Sequence, residues 1–162
     1  LAVQVRNHKE YGWLTAAMIV YGCRPSEALS LFPNKNGTAS CLSVKQKKSV
    51  PERRTALALP KGYVEKLDLY NICRSVEFIE PEDFDPIEAK SFSNRWGKWL
   101  KRQRPDLQLY DLRHAWAKRS IREGVPSGLA AKSLGHSVQV FEETYLSTLD
   151  EEDIAAFASK ML

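Results

Sequence analysis

Cysteine is scarce and long apolar runs are missing. Cys23, Cys41 and Cys73 are odd in number and widely spaced, and no CxxC pair occurs in the 162 residues. That excludes a disulfide framework and a cysteine-based zinc site, and points to a reducing, intracellular compartment. The best apolar candidate, Leu14 to Val20, falls far short of the roughly 20 residues needed to span a bilayer. Nothing at the N-terminus has the form of a signal peptide. No membrane partner is expected. Internal repeats, low-complexity segments and a clustered carboxylate site for a metal are also missing, and neither a metal nor another cofactor is expected. The chain begins with Leu1 rather than Met, which suggests a fragment of something longer.

What is present is an ordinary globular composition, 43% hydrophobic and 27% charged, with a net charge of +4. The length fits a single domain over residues 1–162. Charge is segregated along the chain. Lys45, Lys47, Lys48, Arg53 and Arg54 crowd one loop, and a second basic region runs from Arg95 to Arg122. Glu77 to Glu88 holds six acidic residues and no base, and the C-terminus is acidic from Glu142 onward. Such segregation suggests one side that faces a polyanion and one that faces away. Solvated helix faces are the plainer explanation.

The periodicity predicts a mainly α chain with a small antiparallel β-hairpin, an α+β class. Residues 4–21 have helical spacing through Trp13, Leu14, Ala17, Met18 and Tyr21. Gly22 stops that helix, and Pro25 suits the first turn of the next, over Pro25 to Phe32. Arg24 then stands at a helix mouth, where backbone N–H groups and the dipole also favour an anion. Glu27 can fold back to hold its guanidinium. Thr38 to Val44 and Thr55 to Leu59 read as strands, with Leu42, Val44, Leu57 and Leu59 toward a core. The basic loop joins them and can reach a nucleic-acid groove. Helical spacing returns over Gly62 to Cys73, and again from Glu88 to Arg104, where Phe92, Trp96, Trp99 and Leu100 form a core face. Asp111 is a candidate N-cap for a helix to Glu123, with Arg113 in its first turn. Gly124 is a C-cap signal. Ser127 to Leu134 forms a short helix closed by Gly135, and Ser137 caps the helix that carries Tyr145. A last amphipathic helix, Glu151 to Leu162, places Ile154, Phe157, Ala158 and Met161 on one side.

A phenol, two guanidiniums and an imidazole suit attack on a phosphodiester. Arginine binds two phosphoryl oxygens with one planar fork and stays charged. A tyrosine with a pKa of about 10 needs a base or nearby positive charge to attack. A lysine on the hairpin could give the leaving oxygen its proton. Taken in order, the segments resemble the tyrosine recombinase (phage integrase) catalytic domain, from about Tyr11 to the C-terminus. Gly22-Cys23-Arg24-Pro25-Ser26-Glu27 is similar to the first arginine box and Asp111-Leu112-Arg113-His114 to the second. Leu134-Gly135-His136 precedes Tyr145 at the family's spacing.

The resemblance implies a site-specific recombinase that cuts and rejoins double-stranded DNA without metal or ATP. Tyr145 would form a 3′-phosphotyrosyl link, Arg24 and Arg113 would bind the scissile phosphate, and His136 would hydrogen-bond it. Glu27 and His114 would support them. Lys48 aligns best with the general-acid lysine, with Lys47 a close rival. Lys45, Lys47, Arg53 and Arg54 would contact DNA. It further implies other protomers on the DNA, a tetramer during recombination, joined through the last helix. The source would be a cytoplasmic, nucleoid-associated protein of a bacterium or phage, with an N-terminal DNA-binding domain missing from this chain. One departure stands out: the family usually has histidine three residues before the second arginine, and here Tyr110 takes that place. Tyrosine donates a hydrogen bond but is a poor base near neutral pH, so the base role is weakened. His114, next to Arg113, is expected to point elsewhere on the helix. Three alternatives stand beside this: a helix-turn-helix DNA-binding module, a type IB topoisomerase and an inactive regulatory paralogue. The helix that would enter the groove in the first of these carries Glu142 and Glu143 and no base, which phosphates would repel.

Overall fold

The computed structural model describes residues 6–44, 50–73 and 80–161. Its centre is α1 (Gly12–Tyr21), which starts later than the helix over residues 4–21 that the spacing predicts, because residues 6–11 form turns. The residues of α1 other than Ile19 are all buried. A helix with no polar face can only sit inside a domain, and the other elements pack around it. Gly22 ends α1 with φ of +66°, its N–H donating to the Met18 carbonyl. The one-turn α2 (Pro25–Ala28) follows, with Arg24 as N-cap and Pro25 at the first helical position. It is shorter than the Pro25 to Phe32 helix the sequence suggests, because Leu29 to Leu31 turn the chain into a strand that opens at Phe32.

Strands β1 (Phe32–Pro33), β2 (Thr38–Ser43) and β3 (Glu52–Leu57) form an antiparallel sheet in that order. The β2–β3 register sets Cys41 opposite Arg54 and Ala39 opposite Ala56. The C-terminal end of β3 is covered on both faces, while Glu52, Arg53 and Thr55 stay exposed. Ala56 and Ala58 join the large core with Ala39 and Cys41, while Leu57 and Leu59 pack on a second cluster containing Trp116, Leu134, Phe141 and Tyr145. Leu42 is buried and Leu57 and Leu59 pack on that second cluster, as their alternation predicts, while Val44 is half-buried.

Beyond the sheet, α3 (Tyr63–Lys66) is a single turn rather than a helix over residues 62–73; Asp68 at φ of +50° turns the chain away. A 3-10 turn (Pro81–Asp83) leads to α4 (Pro86–Gln103), which starts two residues before Glu88 because Asp85 caps it, accepting from the Ile87 and Glu88 N–H groups at 2.8 and 3.4 Å. Phe92, Trp96, Trp99 and Leu100 of α4 are buried as expected. Trp96 Nε1 donates to Thr15 Oγ1 at 3.0 Å, pinning α4 to α1.

Helix α5 (Leu109–Arg122) starts earlier than Asp111. Gln108 is its N-cap, and Asp111, at the third position, accepts from the Gln108 N–H at 2.7 Å. Arg113 accordingly lies one turn inside the helix and not among its free N–H groups. Trp116 of α5 is fully buried, and its Nε1 donates to the Val20 carbonyl at 3.0 Å and the Leu57 carbonyl at 3.2 Å, tying α1, α5 and β3 together. Then come α6 (Ser127–Leu134), α7 (Val138–Tyr145), a 3-10 turn (Leu146–Thr148) and α8 (Glu151–Met161). Asp153 anchors α8 by accepting from Arg122 Nε, while Ile154 and Met161 stay 68% and 74% exposed. Among the described residues no helix is long and apolar enough to cross a membrane.

Gly22 has two reasons to be glycine: its positive φ, and a Cβ there would stand 2.6 Å from the Trp116 ring. Gly22→Ala is expected to cost about 2–4 kcal/mol, summing left-handed strain and overpacking. A urea melt monitored by tryptophan fluorescence checks this.

Candidate active site

Arg24 is 5% exposed and Glu27 fully buried. The Glu27 carboxylate folds back on its own helix start. Its Oε2 accepts the Arg24 backbone N–H at 2.8 Å, and its Oε1 accepts Arg24 Nη1 at 2.8 Å. The expected support of Arg24 by Glu27 is thus present. The same carboxylate also accepts Arg54 Nη2 from β3 at 2.6 Å.

Arg113, 1% exposed, reaches the same place from α5. Its Nη1 donates to the Gly22 carbonyl at 2.8 Å, and its Nη2 to the Leu134 carbonyl at 2.7 Å. Nη2 also stands 3.0 Å from His136 Nε2. The second arginine box is therefore joined both to the loop before Arg24 and to the end of α6. Gly135 makes that end possible: it turns the chain at φ of +71°, and a Cβ there would lie 3.0 Å from Arg54 Nε.

Two guanidiniums, of Arg24 and Arg54, bond one carboxylate, and Arg113 acts on it through its charge. Burial alone would raise the Glu27 carboxyl, but Arg54, then Arg24 and Arg113, hold it below the usual carboxylate range. Burial lowers Arg113, and repulsion from Arg24 lowers it further. Of the three guanidiniums, that of Arg24 lines a cavity of about 250 Å³, together with Ser26, Lys90, Ser93 and Tyr110. A second hollow of about 540 Å³ shares Pro25, Ser93 and Tyr110 with it and adds Lys98 and Lys101. Together they form a groove with arginine at its floor and lysines on its wall.

Tyr145 is 3% exposed and belongs to the smaller apolar cluster. Its ring stacks near His136, with centroids 6.1 Å apart and planes 15° from parallel, and lies 5.2 Å from Phe141. Burial raises its phenol pKa, opposed by the charge and hydrogen bond of Arg113 and by the charge of Arg24. Tyr110 is 46% exposed at the rim. His114 lies one turn from it on the same face of α5, with ring centroids 6.1 Å from Tyr110 and 5.6 Å from Tyr145. The expectation that His114 points away from Tyr110 is corrected, since residues four apart share a helix face.

Arg24, Glu27, Arg113, His136 and Tyr145 are thus brought together, with Tyr110 and His114 at the edge. Lys45, Lys47 and Lys48 lie outside the described residues. Arg53 sits elsewhere, bound to Ser40 Oγ at 3.2 Å and Glu80 at 3.0 Å. Arg54 is not the surface DNA contact expected of it: its side chain is 9% exposed and its donors are turned inward. Period-two alternation carries the signal, because Arg54 shares a strand face with the buried Ala56 and Ala58. The second basic region is not one face either. Arg104 pairs with Asp106, Arg122 with Asp153, and Arg119 donates to the Ile19 carbonyl. Lys98 and Lys101 line the second hollow. Among the described residues no group of His, Cys, Asp and Glu is placed to hold a metal ion.

Comparison with known proteins adds the following. No family model matches the sequence. Excisase A of Nostoc sp. (strain PCC 7120 / SAG 25.82 / UTEX 2576) is 31% identical over 143 residues, which is 82% of this chain and 30% of that protein. Excisase C of the same strain is 26% identical over 152 residues, 88% of this chain and 30% of that protein. The chain therefore spans less than a third of the length of these curated relatives. Among solved structures, XerA recombinase matches 99% of this chain and 61% of its own with a TM-score of 0.60 at 16% identity. The Tn1549 transposon integrase, in complex with a circular intermediate DNA, matches 98% of this chain and 62% of its own with a TM-score of 0.56 at 10% identity. XerH site-specific recombinase, in a post-cleavage complex with a palindromic difH substrate, covers 95% of this chain and 46% of its own with a TM-score of 0.53 at 20% identity. The chain has the catalytic-domain fold of the tyrosine recombinases.

The sign of the pH effect at Glu27 follows from its depressed carboxyl. The stabilisation is present above the unfolded glutamate pKa of about 4.3 and is lost as pH falls through the lower folded value. Glu27→Gln is expected to cost roughly 3–5 kcal/mol at pH 7, as for a broken buried ion pair, and to flatten the loss of stability in acid. Denaturant melts of both proteins between pH 7 and pH 3 check both parts.

Proposed function

We propose that this chain is the catalytic domain of a site-specific tyrosine recombinase, which cuts and rejoins double-stranded DNA through a 3′-phosphotyrosyl intermediate. The observation that carries this is the gathering of Arg24, held by Glu27, and Arg113, bound to the Gly22 carbonyl two residues before Arg24, with His136 against Arg113 and Tyr145 against His136. A phosphodiester supplies the anion that three guanidiniums with a single carboxylate call for. Lys98 and Lys101 along the adjoining groove would follow the backbone on either side.

In the reaction, the Tyr145 phenol oxygen forms a bond to phosphorus as its proton leaves, and the bond from phosphorus to the 5′-oxygen breaks. The leaving 5′-oxygen takes a proton, for which Lys48 or Lys47 is the sequence's candidate. Arg24 and Arg113 stabilise the charge that builds on the non-bridging oxygens, and His136 donates to one of them. The phosphotyrosine retains the energy of the cut bond, so attack by another 5′-hydroxyl rejoins the strand. The buried phenol is neutral at pH 7, and its pKa is raised by burial, so loss of its proton accompanies attack. Joining to further copies of the protein on DNA, through the exposed side of α8, and to an N-terminal DNA-binding domain belongs to the same proposal.

Tyr110 favours a second reading. A half-exposed tyrosine lines the Arg24 cavity where the family usually has histidine, which is what an inactive regulatory paralogue would carry.

DNA nicked close to the cut site traps the covalent intermediate. The native protein is expected to give an adduct that migrates with the DNA after denaturation, at a rate that rises with pH above neutrality. Tyr145→Phe should bind the same DNA and give none, and Arg113→Lys should slow adduct formation by roughly 10²–10³-fold. No adduct from the native protein, with adduct appearing in Tyr110→His, would select the paralogue.

A further inference from the structure

Arg54 lies in the strand after the basic loop, and the reaction described above gives it no task. Its side chain joins two parts of the site that are far apart in sequence. Nη2 donates to Glu27 Oε2 at 2.6 Å, and Nη1 donates to the Ser133 carbonyl. Glu27 holds Arg24, whereas Ser133 lies three residues before His136.

The end of α6 shows why the second contact matters. An α-helix leaves its last four carbonyls without partners inside the helix. Here the Ala131 carbonyl accepts from the His136 N–H at 2.9 Å and the Lys132 carbonyl from the Gly135 N–H at 3.1 Å. The Ser133 carbonyl is taken by Arg54 and the Leu134 carbonyl by Arg113. Ser133 Oγ also accepts the Leu57 N–H at 2.8 Å, so β3 grips this helix end twice. The position of His136 is fixed by that end. A rotation of α6 by a fraction of a turn would carry the imidazole off the Arg113 guanidinium, 3.0 Å away.

We infer that Arg54 is a positioning residue for strand cleavage: one guanidinium, bridging Glu27 and the Ser133 carbonyl, sets Arg24 and His136 at a fixed separation around the phosphate. The inference rests on the proposed cleavage reaction. Arg54 does not meet DNA, being 9% exposed at its side chain with two of its nitrogens committed inward. Its Nε is buried with no hydrogen-bond partner, against Gly135. Burial lowers its affinity for the proton and the Glu27 carboxylate more than restores it. Lysine keeps the charge but is a point donor on a flexible stem, unable to hold both acceptors in one plane.

Arg54→Lys is therefore the test, read on four quantities: the melting temperature, the affinity and salt dependence for nicked DNA, the rate of adduct formation on saturating DNA, and the stabilisation by inorganic phosphate. The expected result is a folded protein whose DNA affinity and salt slope match the native protein. Its adduct rate falls at least tenfold, and the phosphate concentration needed for half of the stabilisation rises at least tenfold. A loss of DNA affinity with a salt slope reduced by about 1, at unchanged rate on bound DNA, would make Arg54 a backbone contact and overturn the inference. A lower melting temperature with unchanged rate and phosphate response would reduce it to a structural residue and also overturn it. Where native protein forms no adduct, the cleavage reading fails by itself, and the phosphate arm alone decides for or against Arg54. Should Arg54→Lys not fold, Arg54→Gln, which leaves Glu27 and its bond to Arg24 in place, is read on the same four quantities with the same criteria.

Discussion

A single buried carboxylate is the constraint on which the site depends. Glu27 is fully enclosed and accepts from Arg24 and Arg54 while feeling the charge of Arg113. A guanidinium taken out of water is tolerated only where hydrogen bonds and opposite charge replace its hydration. One carboxylate cannot neutralise three of them, and Arg24 lines a cavity. The protein tolerates this because main-chain carbonyls of Gly22 and Leu134 accept from Arg113 and that of Ser133 accepts from Arg54. The carbonyls hold the arginines in place without cancelling their charge. An anion with several oxygens is the ligand that such an arrangement is short of.

The rest of the fold is arranged to bring those donors together. Trp116 binds the carbonyls at the end of α1 and in β3, which fixes α5 against both. Arg113, three residues earlier on α5, is then delivered to the loop after α1. Gly22 lets that loop pass under the Trp116 ring, where no side chain would fit. The helix ends meet here too. The start of α2 presents Arg24, and the finish of α6 presents the carbonyls that grip Arg54 and Arg113. Ends of helices are where backbone groups lack partners, so they are natural places to fasten charged side chains.

Tyr145 has two allegiances. Its ring is part of the smaller apolar cluster with Phe141, Leu134 and Trp116, and its hydroxyl lies within the influence of Arg113 and Arg24. The stability of α7 and the placing of the phenol are therefore the same packing problem. His114 and His136 flank the ring on two sides, so the phenol is surrounded by groups able to exchange hydrogen bonds with it or with a bound phosphate.

By itself the sequence determined the local features: α1 from its unbroken apolar run, the stop at Gly22, the Pro25 helix start, the fold-back of Glu27, the aromatic face of α4, and the Ser137 cap. Each depends on residues within a turn or two, where spacing and side-chain chemistry suffice. The boxes around Arg24, Arg113, His136 and Tyr145 were legible as a resemblance, and the structure places those four side chains in one neighbourhood. Only the tertiary structure decided which basic residues face outward. Arg53 and Arg54 are neighbours of like charge in the sequence, yet one bonds Glu80 at the edge and the other is sealed against Glu27. The second cluster behind Leu57 and Leu59 was settled at the same level. In each case the deciding partner lies dozens of residues away, and burial of a charge depends on that partner rather than on the chain nearby.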